Sequence, residues 1–332
     1  MPQSPMPLAR LTRLTLLTAT AALAAAPALA EECRLGPAPH TQGPLVFMKY
    51  DQAELDAAYD QSFYEPLLGQ VAKRLGSNSD AVRARLGPPL RKSYGLSEIE
   101  QLYIYRAKGA HAPIFVFIHG GAWLVGSAKG SGYAAEMFVD AGAHYVALDF
   151  TTVKAAGGDL PTMARQVRSA IAWVYRNAAS FGGDPNRLYI GGHSSGGHLC
   201  GVALVTDWHA FGLPDTIIKG GLCMSGMYDM KPVRLSKRRS YVHFTDAIEN
   251  EMSSLRHLDR LRAPITVTYG TFETPEFQRQ SRDFAAAVKE QGKPVEIIEA
   301  PNYAHMEMAE SLGNPYGPNG RAALAMMKLG RA

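Results

Sequence analysis

A serine stands between small residues in segment 192–196, which reads Gly-His-Ser-Ser-Gly. The apolar run 187–191 before it predicts a buried strand, and residues 197–204 after it predict a packed helix. A sharp strand-to-helix turn exposes a serine hydroxyl, and small neighbours let the backbone and a substrate come close. The pattern therefore predicts that Ser194 is a nucleophile, with a plain glycine-serine turn as the alternative.

A pair of glycines follows another predicted strand. Residues 113–118 are an unbroken apolar run, and the motif HGGAW occupies residues 119–123 directly after it. Backbone N–H groups at adjacent glycines can hold a carbonyl oxygen that becomes negative during acyl transfer. We expect Gly120 and Gly121, together with the N–H of Ser195, to form such an oxyanion hole.

A histidine near the end of the chain is the candidate general base. His305 comes after the last predicted strand, 295–298, in a loop that can reach a serine at the end of a central strand. His198 lies on the helix that follows the serine, and we expect it to face packing or solvent. We expect His119 to orient the glycine loop rather than to transfer a proton.

Three carboxylates are candidates for the acid that orients this histidine. Glu273 follows the predicted strand 265–269, where it could fix one tautomer of the imidazole and stabilise the imidazolium. Glu276 lies in the first turn of a predicted helix, where an acid also interacts with the helix dipole. Asp229 follows the preceding predicted strand, 220–225. We prefer Glu273 and keep the other two as alternatives.

The elements that must position these residues alternate along the chain. Helical periodicity covers residues 51–74, and a loop-rich stretch covers 75–95. Beyond it we predict strands at 100–105, 113–118, 144–150, 188–191, 220–225, 265–269 and 295–298, with helices at 160–179, 196–206, 276–291 and 319–329. Continuous apolar strands between helices predict an α/β fold, a mostly parallel sheet covered on both faces. Region 207–262 is less regular and is a candidate lid.

The first thirty residues are typical of a secretory signal peptide. Arg10 and Arg13 precede the apolar stretch 14–26, and Ala-Leu-Ala at 28–30 forms a small-x-small cleavage site. We therefore expect the protein to be exported to the periplasm or the medium. Residues 31–332 are expected to form one domain, which begins with an extended arm at 31–44. The alternative is an uncleaved anchor. No other apolar run is long enough to span a bilayer.

Charge and cysteine content exclude several classes of function. The formal net charge is +4, and removal of residues 1–30, with two arginines and no acid, leaves +2. No basic stripe suggests nucleic acid as a partner, and the run 237–239 is expected to be a solvated loop. Of the three cysteines, Cys33, Cys200 and Cys223, the last two are expected to be buried, either paired or free. No Cys/His spacing fits a zinc site. Hydrolysis through an acyl-enzyme requires neither a metal nor a cofactor, and we expect neither.

With these residues, the chain resembles the α/β-hydrolase superfamily. Within it, the motif at 119–123 is similar to the oxyanion loop of the branch that holds hormone-sensitive-lipase-like esterases and arylformamidases. Segments 50–59, 225–229 and 273–281 resemble the formamidases, although that family has an aspartate where this chain has Glu273. The resemblance spans residues 48–328.

The resemblance implies a serine hydrolase that acts through an acyl-enzyme on an ester or activated amide of a small molecule, and we expect this substrate to be aromatic. An arylformamidase acting on N-formyl aryl amides, an acyltransferase and a non-catalytic binding protein are the alternatives. Four aromatic side chains near predicted strand ends are candidates for the pocket wall, with core packing as the alternative for each: Trp123, Phe150, Phe272 and Tyr303.

Overall fold

The computed structural model of the protein describes residues 1–2 and 43–329. The chain divides into two units, Met1–Leu35 and Gly36–Ala332, and the fold below is that of the second. The expected signal peptide lies outside the described residues except for its first two positions, as does the extended arm up to residue 42. Within the described ranges, no helix is long and apolar enough to cross a membrane.

Eight strands form one sheet at the centre of this unit. They are β1 Leu90–Ser93, β2 Gln101–Tyr105, β3 Ala112–Ile118, β4 His144–Leu148, β5 Gly183–His193, β6 Ile218–Met224, β7 Ile265–Gly270 and β8 Val295–Ala300. Their spatial order is β1-β2-β4-β3-β5-β6-β7-β8. The two pairings at the β1 edge are antiparallel and all others are parallel. This confirms the predicted mostly parallel sheet.

Helices cover both faces of the sheet. They are α1 Gln52–Ala58, α2 Leu68–Leu86, α3 Ala135–Asp140, α4 Leu160–Asn177, α5 Ser195–Leu204, α6 Met230–Leu235, α7 Asp246–Met252, α8 Pro275–Glu290, α9 His305–Ser311 and α10 Pro318–Met326. Alternate side chains of β3 point to opposite faces, so Val116 joins one hydrophobic core and Phe117 the other. Residues of α4, α5 and α8 complete the first core, and residues of α2, α3 and α10 complete the second.

The N-terminal region differs from the predicted helical periodicity over 51–74 and loop-rich stretch over 75–95. Helix α1 ends at Ala58 and α2 runs on to Leu86, followed by β1. Pro66 disfavours a helical conformation at the residue before it, which separates the two helices. Further on, buried side chains recur at helical spacing within α2: Val71, Leu75, Ser79 and Val82. Their packing outweighs the poor helix formers Gly-Ser-Asn-Ser at 76–79.

The two described cysteines do not form a disulfide. Cys200 on α5 and Cys223 on β6 are buried free thiols. Burial raises the pKa of the Cys200 thiol well above its ordinary value, so this thiol remains protonated and behaves as a small apolar side chain.

Candidate active site

Ser194 occupies a tight turn between β5 and α5. Its φ of 58° and ψ of −123° lie in a backbone region that residues other than glycine rarely adopt. A Cβ at Gly196 would lie 2.1 Å from the carbonyl oxygen of Ile118, and one at Gly192 would lie 2.1 Å from that of Gly196. Only glycine fits at these two positions, so the small residues allow the turn to pack against the end of β3.

His305, at the start of α9, is held by a buried carboxylate. Its Nδ1–H donates to Oε2 of Glu273 over 2.8 Å, and both side chains are buried. The second oxygen of Glu273 accepts hydrogen bonds from the Ser225 hydroxyl at 2.6 Å and from the Gly270 N–H at 2.8 Å. With its proton fixed on Nδ1, the imidazole keeps Nε2 as the nitrogen that can accept another proton.

The structure separates the three candidate acids. Glu273 is the one that contacts the histidine. Asp229 caps α6 and pairs with Arg256 at 3.3 Å. Glu276, in the first turn of α8, is fully buried and pairs with Arg279 at 2.7 Å. Both alternatives therefore have structural partners of their own.

His193, the last residue of β5, supports His305. Its Nε2–H donates to the carbonyl oxygen of His305 over 2.9 Å, and the two ring centroids lie 4.5 Å apart. Burial, and then the neighbouring His305, lower the pKa of His193 well below its ordinary value, so it stays neutral. Our sequence reasoning missed this residue, although it directly precedes Ser194, the candidate nucleophile.

The loop after β3 places backbone N–H groups beside Ser194. A Cβ at Gly120 would lie 3.0 Å from the Cβ of Ser194, so the loop passes close to this serine. The N–H groups of Gly120 and Gly121 have no acceptor among the described residues. The N–H of Ser195 opens α5, where helical geometry provides no partner. Gly120 and Gly121 thus line the same cavity as Ser194, and Ser195 follows it at the start of α5.

His119 fixes this loop in place. Its ring stacks on Phe150 with centroids 4.3 Å apart, and its Nδ1–H donates to the carbonyl oxygen of Gly120 over 2.9 Å. Burial lowers its pKa, so the ring is neutral. These contacts agree with the loop-orienting role that we predicted.

A cavity of about 680 Å³ has Ser194, His193, His305 and the glycine loop in its wall. This is the size of a small-molecule site. The rest of the wall is largely apolar or aromatic and includes Tyr59, Leu68, Ala72, Leu75, Phe117, Leu124, Val125, Tyr133, Tyr241, Met306 and Ala309. Much of it comes from α2 and the segment before α2, which are distant in sequence from the serine.

The four aromatic residues predicted for the pocket wall lie elsewhere. Trp123 is buried and donates its Nε1–H to Nδ1 of His198 over 3.3 Å. Phe150 lies behind the histidine of the glycine loop. Phe272 is 39% exposed, and Tyr303 lines a separate surface depression. For Trp123 and Phe150, core packing was the better interpretation.

The candidate lid region forms one side of the cavity. A short 3₁₀ helix, Lys237–Ser240, carries Lys237 and Arg238 into the wall. The prediction of a solvated basic loop holds for Lys237 and Arg239, which are exposed, but is wrong for Arg238, which is buried.

Comparisons with known proteins agree with this geometry. The family model BD-FAE matches residues 101–212, which include the glycine loop and the serine turn. Kynurenine formamidase of Danio rerio is 28% identical over 272 residues, which cover 78% of this chain and 90% of that protein. The Salmo salar enzyme of the same name is 30% identical over 231 residues, covering 67% and 76%. Esterase LipC of Mycobacterium tuberculosis is 29% identical over 238 residues, covering 68% and 59%.

A solved structure shows the same architecture. The crystal structure of a putative thioesterase from Silicibacter sp. matches with a TM-score of 0.70 and 22% identity. The match covers 83% of this chain and 99% of that one. It confirms the predicted fold class.

Proposed function

Because the chain belongs to the α/β-hydrolase superfamily, in the branch of hormone-sensitive-lipase-like esterases and arylformamidases, we propose that it cleaves a carboxylic ester or activated amide through a serine acyl-enzyme. The proposal rests on one observation. His305 donates a 2.8 Å hydrogen bond to the buried Glu273, and this histidine lines the same cavity as Ser194. The aromatic wall suits a small aromatic substrate.

In the first half of this reaction, the Ser194 hydroxyl attacks the substrate carbonyl carbon. Nε2 of His305 takes the serine proton, and Glu273 stabilises the imidazolium that results. The N–H groups of Gly120, Gly121 and Ser195 bind the oxyanion. One such donor is typically worth about 3 kcal/mol in the transition state.

To complete the acyl-enzyme, His305 gives its proton to the leaving alcohol or amine, and the bond from the carbonyl carbon to that group breaks. A water molecule then gives a proton to His305 and attacks the acyl carbon. Collapse of the second oxyanion releases the acid and restores the Ser194 hydroxyl.

Substitution of the nucleophile tests the proposal. We expect Ser194→Ala to lower kcat for p-nitrophenyl acetate by about 10⁴-fold or more, because no other group can form the acyl-enzyme. Circular dichroism should show an intact fold, and a fluorophosphonate probe should label Ser194 in the unmodified protein. Turnover retained in the variant, or a label on another serine, would contradict the assignment.

Arylformamidase activity is the second candidate, favoured by the two kynurenine formamidase relatives. The relevant measurement is kcat/KM for phenyl acetate against N-formyl aniline. A higher value for the formamide would make amide hydrolysis the principal activity.

We also propose that the protein is exported and that its mature chain begins at Glu31, as the small-x-small site at 28–30 predicts. Mass spectrometry of the N-terminal peptide from periplasmic and medium fractions is the test. A chain that begins at Met1 and stays in the cytosol would overturn this proposal.

A further inference from the structure

A buried arginine in the cavity wall has no acidic partner. Arg238 is 6% exposed and lines the same cavity as Ser194. Among the residues that the structure describes, no carboxylate lies within ion-pair distance of its guanidinium. Burial of an unpaired charge costs free energy, so a guanidinium kept here calls for a counter-ion.

The hydrogen-bonding capacity of Arg238 is only partly used. Nη2 donates to the carbonyl oxygen of Tyr59 over 3.0 Å, and Nη1 donates to the hydroxyl of Tyr241 over 3.2 Å. Nε is buried and has no acceptor in the described part of the chain. The guanidinium carbon lies 5.4 Å from the ring centroid of Trp123. These contacts hold the group in position, but none of them neutralises it.

The other charged residues of the wall leave the charge of Arg238 uncompensated. Lys237 pairs with Asp60, and this pair is neutral as a whole. His119 and His193 are uncharged because burial lowers their pKa values. Among the side chains that line the cavity, the guanidinium of Arg238 is therefore a positive charge without a carboxylate partner, within a mainly apolar wall.

We propose that Arg238 binds a carboxylate group of the substrate, so that the preferred substrate of the proposed hydrolase is an anionic ester or amide with an apolar body. The planar fork of a guanidinium matches the two oxygens of a carboxylate. Phe117, Tyr133 and Leu124 provide the apolar surface for the remainder of such a molecule. The inference rests on the proposed function, since it takes the Ser194 cavity as the substrate site.

Two pairs of esters test the preference and show which end of the substrate bears the charge. In the first pair, 4-acetoxybenzoate and its methyl ester, the carboxylate is on the leaving group. In the second pair, mono-p-nitrophenyl succinate and its methyl ester, the carboxylate is on the acyl group. In at least one pair we expect kcat/KM to be higher for the anion by about tenfold or more, mainly through KM. The absence of an anion preference in both pairs would overturn the proposal.

Variants of the arginine assign the preference to this side chain. Arg238→Met removes the charge but keeps an apolar stem, and we expect the anion-to-neutral ratio of kcat/KM to fall by about tenfold or more. Arg238→Lys keeps the positive charge but lacks the planar guanidinium, so we expect a smaller decrease in the anion-to-neutral ratio. If the methionine variant does not fold, the lysine variant provides the test. Arg239→Met is the matched control, because the same charge is removed at an exposed neighbour. Equal losses on both members of a pair would show a structural role only.

A binding measurement separates this proposal from the proposed function. Calorimetry on Ser194→Ala with 4-acetamidobenzoate and 4-acetamidobenzamide requires no turnover. We expect the carboxylate to bind more tightly by about tenfold and the difference to vanish when Arg238→Met is added. If this difference is present while wild type hydrolyses none of the esters, the hydrolase proposal fails and the carboxylate site stands. Equal binding of the two compounds overturns the carboxylate site alone.

Discussion

Three donors surround the carboxylate of Glu273 from different directions: the imidazole of His305, the hydroxyl of Ser225 and the N–H of Gly270. All three require an acceptor oxygen, so the position requires a carboxylate rather than an amide. An amide would direct an N–H group toward one of these donors and favour the wrong imidazole tautomer.

We therefore expect Glu273→Gln to lower kcat for p-nitrophenyl acetate by about 10³–10⁴-fold, measured by steady-state kinetics at neutral pH. Asp229→Asn makes the same chemical change at a candidate acid that only caps α6 and pairs with Arg256. It should retain nearly wild-type activity. The reverse pattern would move the acid to Asp229.

Ser194, Glu273 and His305 could be found from the sequence because each follows a strand, and the carboxyl ends of parallel strands meet at one edge of the sheet. Arg238 could not be identified in this way. Its basic neighbours are typical of a solvated turn, and its burial depends on Tyr59 and Trp123, which are far away in the chain.

At the scale of elements, glycines set how closely the nucleophile turn approaches β3. An alanine Cβ at Gly196 would overlap a backbone oxygen of β3, which cannot move without disturbing the sheet. Gly76, in α2, has open space around its Cβ direction.

Alanine at these two positions should have opposite effects on the free energy of unfolding, measured in urea. Gly196→Ala should destabilise the protein by about 3 kcal/mol or more, or prevent folding. Gly76→Ala should stabilise it by about 0.5–1 kcal/mol, the usual gain inside a helix. A stable Gly196→Ala variant would show that the turn can relax away from β3.

The helix α2 shows where prediction of elements failed. Local propensity in 76–79 predicts a loop. In the structure, Val82 of α2 belongs to the second core, and the hydroxyl of Ser79 donates to the carbonyl oxygen of Gly130 over 2.8 Å. Such packing depends on partners distant in sequence, and periodicity in so polar a stretch was too weak to reveal them.

At the scale of the whole molecule, the elements predicted from residue 100 onward agree better with the structure than those predicted before it. The alternation of strands and helices from residue 100 onward matches the sheet and its main helices. Strands β3 and β4 are buried along their whole length, which is why their apolar runs were easy to recognise. The edge strand β1 is mostly exposed and was missed.

The core of the molecule also contains a histidine that makes its stability dependent on pH. His198 accepts a hydrogen bond from the Trp123 Nε1–H and donates its Nε2–H to the carbonyl oxygen of Met252 over 3.0 Å. Burial lowers the pKa of His198 to about 4. Its neutral form is therefore part of the folded state.

Since the pKa of His198 is lower in the folded than in the unfolded chain, the unfolded chain binds the proton first. The stabilisation is present above about pH 6.5 and is lost as the pH falls toward 4, by an amount on the order of 3 kcal/mol. We expect the free energy of unfolding to fall over this range more steeply in wild type than in His198→Gln. Glu65 and Asp149, whose pKa values burial raises, act in the opposite direction in both proteins. Parallel pH profiles would contradict this role of His198.

Part of the cavity wall comes from stretches of the chain that supply none of the proposed reacting groups. Ser194 and the glycine loop lie within residues 101–212, whereas the wall also includes Tyr59, Leu75 and Arg238 outside that range. Mutations in the wall can therefore accumulate while the chemistry at Ser194 is preserved. In evolutionary terms, a lineage with this architecture can exchange one substrate for another without passing through an inactive ancestor.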